Sequence, residues 1–261
     1  MKIILKPYQS IKYNHKLTNR QINESTNQQK SVLLQTFIVN QPFMSTLLPP
    51  APQAHLDTLL ERYPSLQCCK DSIAQSYLLM EQSYLTQHKL LVAGNGGSAA
   101  DSEHIVGELM KGFKLPRPVG SDFAQACKNI DKEMGTTIAE HLQGTLPAIA
   151  LTGHPGLSTA FMNDCVPELV FAQQMLGFGN SGDTFLAIST SGNSKNIIYA
   201  AIVAKAKGVK IVGLTGSKES KLSALADVCI QVPETETYKI QELHLPVYHC
   251  LCLMLEERFF G

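Results

Sequence analysis

The sequence predicts an α/β protein, a parallel sheet covered by helices on both faces. Three observations carry that prediction. Short, wholly apolar runs recur along the chain, each is followed by a segment with helical spacing, and two of the runs end in loops of Gly, Ser and Asn. Strands buried on both faces read as continuous apolar stretches, and regular alternation of strand and helix is the mark of a parallel sheet. Ligands of such sheets bind at the carboxyl ends of the strands, where both polar loops fall.

At 261 residues the chain suits one α/β domain with helical extensions rather than two small domains. Residues 1–53 are expected to form a poorly structured tail. Residues 1–43 are rich in Asn, Gln and Lys without an apolar period, and Met44, a candidate start, precedes Pro49, Pro50 and Pro52. Residues 54–261 are then a single domain. With 22 Lys and Arg against 22 Asp and Glu, the chain lacks the excess positive charge of a broad nucleic-acid binder, so no such partner is expected. Seven cysteines without a CxxC pair, in a chain with no secretion signal, point to reduced thiols and a cytoplasmic protein. No apolar run reaches the roughly 18 residues that span a bilayer.

In chain order, residues 54–88 read as two helices interrupted near Pro64, with Leu56, Leu59, Leu60, Ile73, Tyr77 and Met80 at helical steps. They are expected to cover the sheet or pack on another subunit. Leu90 to Ala93 is the first strand. Gly94, Gly96 and Gly97 then allow a tight turn, and Ser98 caps a helix running to about residue 113. That helix points free N–H groups and its positive dipole end at the loop, which suits phosphate. Its His104 and Glu108, four residues apart, share one face; a surface pair has the same spacing. The loop GNGGS is neither a dinucleotide fingerprint nor a P-loop, for it has no lysine.

An insertion of about residues 114–145 follows, in which Asp122 to Gln143 reads as one helix, expected to be a mobile cover over the site. Leu146 to Leu151 is the second strand, about Pro167 to Leu176 a helix, and Thr184 to Ile188 the third strand. The run STSGNS at 189–194 supplies hydroxyl and backbone donors at the start of a helix over 195–207, again suited to phosphate. Ordinary helix caps would account for one or two of these residues. Residues 209–214, 221–226 and 228–232 read as strand, short helix and strand. A last helix, about 240–260, carries Gln241, Glu242, His244 and His249 amid apolar positions; a lone His249 would also suit a packed core.

Together AGNGGSAADSEHIVGEL, ISTSGNS and KIQELHLPVYH, in that order, resemble the sugar isomerase (SIS) domain, and most closely the phosphoheptose isomerases. The resemblance covers roughly residues 54–113 and 145–260. It implies a three-layer αβα sandwich with a five-stranded, flavodoxin-like parallel sheet, and a homotetramer whose subunits share active sites. The implied reaction is aldose–ketose isomerisation of sedoheptulose 7-phosphate to D-glycero-D-manno-heptose 7-phosphate. By the resemblance Ser98, Ser189, Thr190, Ser191 and Ser194 hold the phosphate, with Asn95, Gly96 and Gly97 lining the same loop. Asn163 and Asp164 match a pair that lines the sugar, and Gln241 also contacts substrate. Glu108 is the implied base and His249 the implied acid. Zinc, where the family binds it, would be held by His104, Glu108, Gln241 and His249. Moving a proton between adjacent carbons through an enediol calls for such a carboxylate and imidazole. The family also includes regulators that bind phosphosugars without turnover, such as a replication-initiation factor; this second reading needs only the serine loops.

Overall fold

The structure, a computed structural model, describes residues 48–261. Most of the expected tail therefore lies outside the described residues. Its last few residues do not. Leu48 is buried in the core, and the first helix, α1, begins at Pro50 rather than at Ala54. Proline suits a first helical position because its missing N–H would have had no intrahelical partner there.

A 3-10 turn at Pro64–Cys69 separates α1, Pro50–Arg62, from α2, Lys70–Leu85. Then come β1, Leu90–Ala93, and α3, Gly97–Met110. The sheet is completed by β2, Ala148–Ala150, β3, Thr184–Ile188, β4, Lys210–Thr215, and β5, Val228–Gln231. All pairings are parallel and the strand order is β2-β1-β3-β4-β5. This is the five-stranded sandwich that the motifs implied. The order reverses between β1 and β3, whose neighbouring ends form the crevice where doubly wound sheets bind ligands.

Successive strand residues point to opposite faces and so feed two cores. Leu90, Val92, Leu186, Ile188, Val212 and Leu214 pack beneath α1, α2, α3 and the long helix α10, Thr237–Phe260. Leu91, Ala93, Phe185, Ala187 and Ile211 face α7, Val170–Phe178, α8, Lys195–Ala206, and α9, Lys221–Leu225. The helices at 54–88 thus cover the sheet.

Three expected elements differ. The single insertion helix is two, α4, Ser121–Ile130, and α5, Lys132–His141. Asp131 breaks it: its backbone is extended and its carboxylate accepts the Glu133 and Met134 N–H groups, so it caps α5 instead of continuing α4. The helix expected over 167–176 is a 3-10 turn at Pro167–Leu169 followed by α7. An additional helix, α6, Pro155–Asp164, precedes it in a stretch that read as turns.

Candidate active site

Both polar loops meet at the β1/β3 switch point. Asn95 Nδ2 donates to Asn196 Oδ1 at 2.9 Å and Asn196 Nδ2 returns a bond to Asn95 Oδ1 at 2.8 Å, tying the first loop to the first turn of α8. Asn196 had not been singled out from the sequence, because it falls within the expected helix.

Around Ser98 the first loop is closely built. Ser98 is buried, its N–H bonds Asn95 O, and its own carbonyl accepts the Ser102 hydroxyl. A Cβ at Gly97 would lie 2.8 Å from Gln241 Nε2, so any side chain there would push the Gln241 amide aside. Gln241, in the first turns of α10, therefore lies against the first loop. In the second loop Ser189 is buried and its hydroxyl lies 3.1 Å from that of Ser194. Thr190 is half-buried and Ser191 exposed. Gly192, with φ of 64°, reverses the chain between them, a left-handed conformation that glycine adopts without strain. Asn163 and Asp164 are brought to neither loop by any hydrogen bond among the described residues; they end α6 exposed and bonded to each other.

Below the first loop, on α3, His104 Nε2 lies 3.1 Å from Glu108 Oε1. His249 of α10 packs edge-on against the His104 ring, centroids 5.0 Å apart. Burial, together with the nearby His104, lowers the His249 pKa, so its ring is neutral at neutral pH; Glu108 pulls the other way. Its Nε2 is buried without a hydrogen-bond partner, and its residue also lines a groove of about 240 Å³ beside His55, Arg62 and Tyr63 of α1 and its following turn. Tyr248 completes the cluster: its hydroxyl bonds Asp101 Oδ1 at 3.2 Å and lies 3.0 Å from His104 Nδ1. Burial raises the Asp101 carboxyl above its ordinary range, partly offset by the Tyr248 bond and by His104. His244 is wholly buried and pushed down to about 4 by burial, a packed neutral side chain below the site.

A buried ion pair that the sequence did not reveal holds α3 against α10. Arg117 donates to Glu256 Oε1 at 2.9 Å through Nε and caps the end of α3 through Leu109 O at 2.8 Å and Glu108 O at 3.0 Å. Glu256 in turn accepts the Phe113 and Lys114 N–H groups. Burial alone would raise its pKa, but these N–H donors and the guanidinium outweigh that and hold it below the usual carboxylate range.

Do these residues fit the zinc that the resemblance implies? Two imidazoles, a carboxylate and an amide are zinc ligands in kind, and an unpartnered buried His249 Nε2 is the sort of atom a ligand satisfies. The spacing is not preformed: among the described residues no three His, Cys, Asp or Glu side chains stand as a ready metal cluster. No helix among them is long and apolar enough to cross a membrane.

Fold and site define a class, an α/β protein with a five-stranded parallel sheet, two Gly/Ser loops meeting at its switch point and a His/Glu cluster between α3 and α10. The SIS domain family model matches residues 159–254. The phosphoheptose isomerase of Aneurinibacillus thermoaerophilus is 41% identical over 177 residues, covering 68% of this chain and 76% of that protein. That of Coxiella burnetii is 35% identical over 205 residues, covering 77% of this chain and 90% of that protein. The solved phosphoheptose isomerase of Neisseria gonorrhoeae matches with a TM-score of 0.57 at 30% identity, covering 77% of this chain and 94% of that one. The chain belongs to the phosphoheptose isomerase family, the phosphosugar isomerases among SIS-domain proteins.

Proposed function

We propose that this chain isomerises sedoheptulose 7-phosphate to D-glycero-D-manno-heptose 7-phosphate through an enediol. The observation that supports it most is that two Gly/Ser loops meet at one switch point, tied by the Asn95–Asn196 pair, and that the helix starting at the first loop carries the His104–Glu108 pair against which His249 packs. Phosphate is held by Ser98, Ser189, Thr190, Ser191, Ser194 and the N-terminus of α3, with Asn95, Gly96 and Gly97 as the loop floor. Gln241 and the Asn163–Asp164 pair contact the sugar, the latter after α6 or the substrate moves. Glu108 takes the proton from the carbon beside the carbonyl and returns it to the former carbonyl carbon, while His249 gives a proton to the carbonyl oxygen and recovers one from the hydroxyl of the neighbouring carbon as the new carbonyl forms. Zinc held by His104, Glu108, Gln241 and His249 supplies Lewis-acid polarisation of the carbonyl when bound. We further propose a homotetramer with shared sites, in keeping with the groove between α1 and α10 that opens beside His249 and the 42% exposed Leu245 at its edge.

Purified protein incubated with sedoheptulose 7-phosphate, with zinc and with a chelator, tests this reading. Glu108→Gln and His249→Ala should each slow isomerisation by roughly a hundred- to ten-thousand-fold, the usual contribution of a general acid or base. Sugar-phosphate affinity should largely survive in both. Wild-type protein that binds sugar phosphates yet isomerises none of the heptose, hexose or pentose phosphates would replace this reading with that of a phosphosugar-binding regulator.

A further inference from the structure

We infer that Asn196 is a positioning residue whose carboxamide holds the first Gly/Ser loop in register with the second, so that both address a single anion. The inference rests on the reading of these loops as the phosphate site and says how one of them is kept in place. The two loops are anchored differently. The second is held to the body of the protein from two sides. Toward β4, the Ser189 N–H bonds Leu214 O and the Gly216 N–H bonds Thr190 O; toward α9, the Leu222 N–H bonds Gly192 O and the Lys221 N–H bonds Asn193 Oδ1 at 3.2 Å. The first loop is held mainly to its own helix, where the Ser98 N–H bonds Asn95 O and the Ala99 N–H bonds Gly96 O. The ladder between β1 and β3 has already ended, at Ala93 and Ala187. Among the described residues, the two amide bonds between Asn95 and Asn196 are the only hydrogen bonds joining residues 94–98 to residues 189–196.

Asn196 suits this task by its type and its place. A carboxamide both donates and accepts, so two of them face to face form a reciprocal pair, which a carboxylate, with no hydrogen to give, could not complete. Asn196 Oδ1 also accepts the Ile197 N–H at 3.0 Å, one of the first-turn donors that a helix leaves without a partner. That third bond determines which end of the Asn196 amide is oxygen, and the pair then determines the orientation of Asn95. The first loop needs such a hold. Asn95, Gly96 and Gly97 are exposed, and Gly96 takes a φ of 57° that only glycine adopts freely. A loop ordered before its ligand arrives does not have to be ordered at the expense of binding.

A double-mutant cycle on the full chain tests this, read by calorimetric titration with inorganic phosphate and with sedoheptulose 7-phosphate. Asn196→Ala should weaken both by about five- to thirtyfold, the worth of two neutral hydrogen bonds. In an Asn95→Ala background the same substitution should add almost nothing, because its partner is already gone. The urea midpoint of Asn196→Ala should stay close to that of wild type, since the pair lies at the surface. Unchanged affinity in Asn196→Ala, or losses that simply add in the double variant, overturns the inference. The second arm needs no ligand. Hydrogen exchange read by mass spectrometry should quicken in Asn196→Ala at peptides covering residues 94–98 and stay as in wild type at residues 189–193. Equal protection of the first loop in both proteins would also overturn it. If wild type binds neither phosphate nor the sugar phosphate, the phosphate reading of both loops falls, and the exchange arm alone decides whether Asn196 holds the first loop.

Discussion

Two helical regions meet at the C-terminal end of α3, and they are built in opposite ways. Along the seam of α3 and α10 the polar groups at its heart answer one another: Arg117 and Glu256 are 2% and 1% exposed and between them satisfy two carbonyls and two N–H groups. The α4–α5 hairpin buries no side chain, and it exposes Ile130 and Met134 at 88% and 69%. It hangs from a stem made by Gln143 on the Gly112 N–H and by Gly144 on Arg117 O. A seam with buried, fully bonded charges has one geometry. A hairpin with an unburied apolar face is free of that constraint, and the difference between the two should be measurable.

The seam should give the largest effect. Arg117→Met removes one partner of a buried pair and leaves Glu256 charged among apolar neighbours, which costs about 3–5 kcal/mol. A urea midpoint that shifts by much less would mean water reaches the pair. The same substitution also uncaps Glu108 O, so residual enzyme below its melting point should show depressed turnover. The pH dependence has a definite sign. Because Glu256 is held below its unfolded range, its contribution is complete above that range and is lost as the pH falls through the lowered value. Acid unfolding of wild type should carry this loss, and Glu256→Gln should flatten that part of the curve while lowering stability at neutral pH.

Legibility in the sequence follows the same division. The strands and both loops could be read directly, because a doubly buried strand must be apolar along its whole length and a tight turn at a strand end calls for small, polar residues. His104 and Glu108 are likewise brought together as their four-residue spacing required. Arg117 could not be read in this way. It stands in KLPRPVG, a stretch that looks like a solvated connection, and only the fold shows that α10 delivers a carboxylate to meet it. Asn196 was hidden because a polar residue in a first helical turn needs no other explanation. Tyr248 was hidden because an aromatic at helical spacing passes for core, which in part it is. Asp131 did carry a signal, a good capping residue within the run NIDKEM, but the surrounding helix-forming residues masked the break.

A smaller effect is expected at that break. Asp131→Ala deletes the cap of α5, a loss of about 0.5–2 kcal/mol where the helix is cooperative with the rest. If the hairpin opens independently of the core, faster hydrogen exchange at the Glu133 and Met134 amides should register that loss while the global midpoint hardly moves. A global shift as large as that of Arg117→Met would show instead that hairpin and seam unfold as one unit, and the contrast between them would be lost.

The smallest effect belongs to the hairpin's open face, and it separates three roles for it. Ile130→Ser changes a side chain that is 88% exposed, so monomer stability should stay within about 0.5 kcal/mol. Should the face be covered in the assembly, the same change would lower the mass seen by light scattering at micromolar protein. If it is a cover for the site, mass and stability would hold while turnover falls, because closing over an enediol excludes water. Replacing residues 121–141 with a short Gly/Ser bridge enlarges that last effect and spares Gln143, whose side chain accepts the Gly112 N–H at the stem. Soluble protein with full turnover after that replacement would remove the hairpin from the reaction altogether. Insoluble protein would place it in the core after all, against the absence of any buried side chain in α4 or α5.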